Sequence, residues 1–350
     1  MNILVLYTRL TGYWMACMRK DVALNKNIYL VYRTAPSPDA PFKIKSEPGI
    51  TICDYSVATF TTMQAEIETF QPNLIYSAGW GNKNYLKIAK TYKAKGIPVI
   101  TGMDNQWLGT LKQHIASVFS QFLVRQYFTH IWVAGTPQYH YARKLGFKPQ
   151  QILTGLYCAD ESIFETVSQT EHQPQLIFVG RIVEHKGVQV LFEVVEDLLK
   201  SKDVDFKLQV IGSGPLEHLI PKHPNVQHTP FVDPEEIPKL LTNAGTFILP
   251  SFYEAWGVVV HEAALAGLPI IATQQCGAAT ELLIDGFNGY KYEANDKEAL
   301  SKIIKKMMAQ NKEAYFKMAE NSKSLASNLN LTRWTALLNS VALSHTSNTK

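Results

Sequence analysis

The chain has 350 residues, 46% of them hydrophobic and 18% charged, with a formal net charge of +4. That length accommodates two domains, and that composition excludes both an intrinsically disordered chain and a small disulfide-stapled one. The four cysteines, Cys17, Cys53, Cys158 and Cys276, make no C-x-x-C pair, which argues against structural zinc and for reduced thiols.

The opening run, MNILVLYTRL, reads as a strand. It lacks the basic leading region of a secretory signal, so the expected location is cytoplasmic, with attachment to the inner face of a membrane left open. Apolar, β-branched runs follow at IYLVYR, NLIYSAG, IPVITG and HIWVAG, then again at PQLIFVG, FKLQVIG, TFILP and LPIIAT. Runs of this kind, apolar on both faces and separated by helical patterns, belong to parallel sheets covered on both sides. The series occurs twice around a polar connection, Tyr157–Gln175. The predicted fold class is therefore α/β, with two doubly wound Rossmann-like domains over residues 1–157 and 158–330. Ligands of such sheets gather at the carboxyl ends of the strands, and two sheets facing each other would line one cleft. The tail SHTSNTK reads as frayed.

Charge divides the halves. Between Met1 and Tyr157 there are 17 Lys and Arg against 7 Asp and Glu, whereas the remainder has 17 against 23. A basic half either complements the acidic one or meets an anionic partner, a phosphate-bearing lipid or an acidic membrane surface. Nucleic acid is not an expected partner. Within the basic half, Lys83, Lys87 and Lys90 recur at helical spacing, and Leu111–Phe128 is apolar with few charges. That pair suits docking at an anionic membrane; equally, the second helix could be buried between sheet and cleft.

In the second half, the loop after Val179 reads GRIVEHKG. Gly180 lets the backbone turn off the strand. Arg181 and Lys186 then stand at the entrance to a helix starting near Gly187, where dipole, free N–H groups and cations together suit a diphosphate. In PSFYEAWGVVVHEAALAGLP, Glu254 precedes a helix beginning near Gly257, and Glu262 lies within it. The free amides around Trp256, Gly257 and Val258 suit anions. A carboxylate facing a phosphate would be repelled, so Glu254 should face sugar hydroxyls. Glu262, among apolar neighbours, needs a partner that ribose hydroxyls would supply. Two tempting matches carry little. GSGPLE lacks the third glycine of a dinucleotide fingerprint, and Asp203–Asp205 reads as a solvated turn rather than a metal site.

The segments FVGRIVEHKGVQVL, VIGSGP, LPSFYEAWGVVVHEAALAGLPIIAT and GAATELLIDGFNGYKY resemble the successive signatures of glycosyltransferase family 4, retaining enzymes of the GT-B fold. The resemblance is specific over about Gln175–Glu293 and collinear in the first half. It implies that Glu254 and Glu262 are the acids of an E-x7-E motif, with Glu254 on the transferred sugar and Glu262 on the ribose. It assigns Arg181, Lys186 and the backbone of Trp256, Gly257 and Val258 to the diphosphate, and Phe231 and Val232 to the base. It also implies a helix from Leu331 to about residue 345 that returns to the first domain. Two departures stand out. The first loop is TRLTGYW, with Gly12 as its lone glycine on the donor side, and MDNQW places Asp104 where the family often has a His. Asp104 would hydrogen-bond a sugar or acceptor hydroxyl there, or else cap a helix. The implied donor is a nucleoside diphosphate sugar, the acceptor a glycan or lipid-linked hydroxyl, with no cofactor and no metal. Two other functions share the fold: an epimerase acting on the nucleotide sugar, and a partner subunit that binds it without turnover.

Overall fold

The computed structural model describes residues 1–34, 44–55, 60–242 and 244–347. They form two compact units, one of residues Met1–Cys158 with Leu331–Lys350, the other Ala159–Asn330.

The first unit is built on strands β1 (Asn2–Leu6), β2 (Ile28–Arg33), β3 (Ile50–Asp54), β4 (Leu74–Ser77), β5 (Val99–Met103), β6 (His130–Val133) and β7 (Ile152–Thr154). They make one seven-stranded sheet in the order β3-β2-β1-β4-β5-β6-β7, parallel throughout. Its helices are α1 (Gly12–Asn25), α2 (Phe60–Phe70), α3 (Lys83–Ala94), α4 (Leu111–Val118) and α5 (Thr136–Lys144). Alternation along β1 explains its unbroken apolar run. Ile3 and Val5 enter one core layer with Trp14 and Met18, while Leu4 and Leu6 enter the opposite layer with Ile75 and Ile88.

A C-terminal helix, Leu331–Ser347, belongs to this unit and packs along α1. Trp334 fastens it: the ring lies edge-on to Trp14 and 4.8 Å from Trp132, and its indole N–H donates to the Leu156 carbonyl at 3.1 Å. Farther along, Asn339 donates to the buried Asp21 carboxylate at 2.7 Å. The tail expected to fray is thus helical through Ser347, and residues 348–350 lie outside those described.

The second unit carries β8 (Gln175–Val179), β9 (Lys207–Ile211), β10 (Val226–Thr229), β11 (Thr246–Leu249), β12 (Ile270–Thr273) and β13 (Gly289–Tyr292). They form a six-stranded sheet in the order β10-β9-β8-β11-β12-β13, again parallel. Helices α6 (Glu161–Phe164), α7 (Val188–Ser201), α8 (Ile237–Leu241), α9 (Val258–Leu265), α10 (Ala279–Leu282), α11 (Lys297–Met308) and α12 (Lys312–Ala326) cover it. The stretch read as a polar connection is not wholly irregular: α6 sits in it, and Phe164 and Val167 are buried. Asp203 ion-pairs with Lys305 at 2.6 Å on the surface, consistent with a solvated turn. All four cysteines are free thiols. No helix among the described residues is long and apolar enough to cross a membrane.

Candidate active site

The winding of the second sheet reverses between β8 and β11, which are neighbours in space but not in sequence. Loops leaving the carboxyl ends of such a pair diverge and open a crevice. Here they are Gly180–Gly187 and Pro250–Gly257. The two are lashed together, since the Phe252 N–H donates to the His185 carbonyl at 2.9 Å. At Gly187 φ is +64°, and a Cβ would lie 2.0 Å from the Pro250 carbonyl oxygen, so only glycine permits both the left-handed turn and the close approach. On its other side the Pro250–Gly257 loop is tied to the turn after β12. The Gly277 and Ala278 amides donate to the carbonyls of Glu254 and Trp256 at 3.0 and 2.8 Å, and the Thr273 hydroxyl donates to Ser251 O at 2.6 Å.

These ties bring Lys186 and Glu254 into an ion pair whose side chains are only 14% and 16% exposed. The Ser251 hydroxyl reaches the same carboxylate oxygen at 3.4 Å. Arg181 is exposed beside them. Burial, reinforced by the charges of Lys186 and Arg181, holds His185 below the usual histidine range. Trp256 is buried, and Gly257, with φ +94°, is the N-cap of α9, so the positive end of that helix dipole lies at the crevice. Gly180, Arg181, Lys186, Glu254, Trp256, Gly257 and Val258 therefore share one locus. Phe231 and Val232 follow β10, on the far side of β9 along the same carboxyl edge. The Phe231 ring is half exposed and its amide donates to the Ser213 hydroxyl at 3.1 Å.

Glu262 lies one turn into α9. Its carboxylate has no hydrogen-bond or ion-pair partner among the described residues, and burial alone pushes its pKa up to about 7. It keeps some contact with solvent. An acid raised in the folded state binds more protons folded than unfolded between its ordinary value near 4.5 and about 7, so it costs stability as pH rises through that window. Glu262→Gln should therefore raise stability at pH 8 by about 2 kcal/mol, the full shift being discounted for partial exposure, and leave it unchanged near pH 4. Urea unfolding at the two pH values checks this; equal effects at both would show that the carboxylate is not the cause.

Sequence reasoning passed over His261, the residue before Glu262. It is fully buried; its Nδ1 accepts from the Ala159 N–H at 3.0 Å and its Nε2 donates to the Ala326 carbonyl at 3.1 Å. Burial pulls its pKa down to about 4, so the ring is neutral at pH 7. It thereby fixes α9 against both ends of the second unit's chain. Ser251 and His185 were also missed, because hydroxyls and histidines in loops carry no periodic signal.

The other two sequence candidates belong to the first unit. Gly12 is the exposed first residue of α1, with nothing within 4 Å of where a Cβ would stand. Asp104 follows β5. It caps no described helix, α4 being capped by Thr110. Instead its Oδ2 accepts from the Tyr157 hydroxyl at 3.1 Å, while its main-chain carbonyl accepts from Gln138 at 2.9 Å. Tyr13 packs edge-on to Tyr157, with ring centroids 5.6 Å apart.

Residues 160–325 match the family described as glycosyl transferases group 1. Among curated relatives, an uncharacterised glycosyltransferase of Methanocaldococcus jannaschii is 30% identical over 157 residues, 43% of this chain and 42% of that protein. The D-inositol 3-phosphate glycosyltransferase of Corynebacterium diphtheriae is 30% identical over 138 residues, 36% of this chain and 32% of that one. The matched stretch thus spans about a third to two-fifths of these relatives. Similar solved structures include a glycosyltransferase of Rickettsia africae (TM-score 0.78, 13% identity, 99% of both chains). Another is Anabaena HepE in complex with UDP (TM-score 0.74, 15% identity, 99% of this chain and 100% of that one). Residues 160–325 thus match the glycosyl transferases group 1 family, and the chain as a whole has the two-domain Rossmann-like GT-B fold.

Proposed function

We propose that the chain is a retaining glycosyltransferase that moves a hexosyl group from a nucleoside diphosphate sugar to an acceptor hydroxyl, in polysaccharide or glycolipid assembly. The observation that carries this reading is the gathering of Arg181, Lys186 and the amino end of α9 around Glu254 at the β8–β11 crevice. A diphosphate matches that field: guanidinium fork, ammonium and helix terminus all favour phosphate oxygens. Glu254 faces the neutral sugar hydroxyls. Its bond to Lys186 sets the carboxylate in place and leaves the ammonium's other protons for phosphate. Glu262 takes the ribose hydroxyls, which supply the partner it lacks, and Phe231 and Val232 flank the base. UDP is the first nucleotide to test, because the fold neighbour HepE binds UDP and UDP-glucose.

As the anomeric C–O bond breaks, negative charge grows on the β-phosphate. Each fixed donor aimed there contributes about 3 kcal/mol to the transition state, and the proposal assigns no metal or cofactor. The acceptor hydroxyl attacks the face from which the phosphate departs, and its proton passes to the departing phosphate oxygen, so configuration is kept. Asp104, oriented by Tyr157, is assigned to a hydroxyl of the acceptor, a glycan or lipid-linked saccharide.

A melting panel of nucleoside diphosphates tests the donor half. At a hundred times its dissociation constant, the cognate one should add about 2.7 kcal/mol of stability. Turnover of the matching sugar nucleotide should release the free diphosphate with retained anomeric configuration in the product. A sugar altered with its diphosphate intact would identify an epimerase instead. Binding without turnover would identify a non-enzymatic partner, and a sugar trapped covalently on Glu254 or Asp104 would refute front-face attack.

A further inference from the structure

Of the 14 exposed large hydrophobic side chains among the described residues, seven lie between residues 108 and 123. The segment comprises α4 and a π-helical turn at Gln121–Arg125. Leu111, Ile115, Val118, Phe119, Phe122 and Leu123 recur every three or four residues, so they fall on one helix face, with Leu111 76%, Val118 75% and Phe122 66% exposed. The polarity of this helix is inverted, because its inward contacts are polar. The Gln113 side chain exchanges hydrogen bonds with the backbone of Leu108 and Gln106 at 2.7 Å each, and the Ser120 hydroxyl donates to the Leu145 carbonyl at 2.7 Å. The sequence left burial of this helix open; the structure turns its apolar face outward.

The stripe is held rigidly. Val124 and Phe128 are buried, and the Lys93 ammonium donates to the carbonyls of Arg125 and Phe128 at 2.6 and 3.0 Å. Those bonds pin it beside the end of α3, whose buried face is Tyr85, Ile88, Ala89 and Tyr92 and whose outer face shows Lys83, Lys87 and Lys90. The charge of the surrounding sequence is one-sided. Residues 69–159 contain ten Lys and Arg and a single acid, Asp104.

We propose that this face docks on an anionic lipid bilayer, with the 108–123 segment lying in the plane of the interface and its leucines and phenylalanines at the headgroup–acyl boundary. An apolar stripe rimmed by cations is the composition of an interfacial helix, and each cation near an anionic surface adds attraction. A second copy of the chain is a poorer occupant, because two such faces would bring like charges together. The assignment stands apart from the transfer reaction, since association with vesicles is read without turnover.

The test is flotation of the whole chain with vesicles of phosphatidylcholine alone and with phosphatidylglycerol added, at low and high salt. Wild type should partition at least about tenfold more to the anionic vesicles at low salt, and lose most of that preference at high salt. The triple variant L111S/V118S/F122S should lose binding about tenfold or more to either vesicle. K83E/K87E/K90E should lose only the preference for anionic lipid. Both variants should keep the wild-type melting temperature and nucleotide-induced shift. The proposal is overturned if wild type stays unbound to anionic vesicles at low salt, or if the serine variant binds as wild type does. It is overturned too if light scattering shows a wild-type dimer that the serine variant dissolves.

Discussion

Arg181→Ala should lower kcat/KM for transfer about 10²- to 10³-fold, the loss expected when one preorganised donor to a developing oxyanion is removed. Its stability should stay within about 0.5 kcal/mol of wild type. The two halves of this expectation come from one observation: the Arg181 side chain is exposed and makes no ion pair among the described residues, yet it stands at the loop that carries Lys186. A residue with nothing to hold in the fold, placed beside the pair, is free to serve a ligand. Arg181→Lys should recover only part of the rate, because an ammonium keeps the charge but not the planar fork. Steady-state kinetics beside thermal melts decide it. A variant that loses stability in step with activity would place Arg181 in the architecture rather than the chemistry.

Glu254 and Lys186 should behave in the opposite way. Each is largely buried against the other, so Glu254→Ala deprives the ammonium of its ion-pair carboxylate and Lys186→Ala deprives the carboxylate of that cation. Each should cost about 2–3 kcal/mol of stability as well as most of the activity. Removing both should cost clearly less than the two losses combined, with a coupling of about 1–2 kcal/mol. Denaturant unfolding of the four proteins closes the cycle. Additive losses would mean that the pair does not act as a unit, and that Lys186 does not position the acid proposed to face the sugar.

Every strand read from the sequence as an apolar run is present, and the four strands it missed share a cause. β3, β7, β10 and β13 are short and carry partly exposed residues at several positions. All four lie at the edge of a sheet. An edge strand is covered less completely, so it need not be apolar on both faces and leaves no run to read. The cluster around Glu254 was legible because its pieces flank strand ends and a helix start, features with local signatures. His261 and Tyr157 were not. Their importance lies in partners 102 and 53 residues away, Ala159 and Asp104, and nothing in their immediate neighbours announces those contacts. The outward face of α4 was half legible: composition marked it as apolar, but only the fold could say which way it pointed.

Trp334 has a consequence for how the protein is made. The core it completes, between Trp14 and Trp132, belongs to the unit that begins at Met1, yet the indole is supplied by a helix that starts at Leu331. On the ribosome, domains ordinarily settle in the order of their synthesis. Here the earlier unit must wait with an open seam along α1 until residues beyond 334 emerge, while the later unit, contiguous from Ala159 to Asn330, has all its parts first.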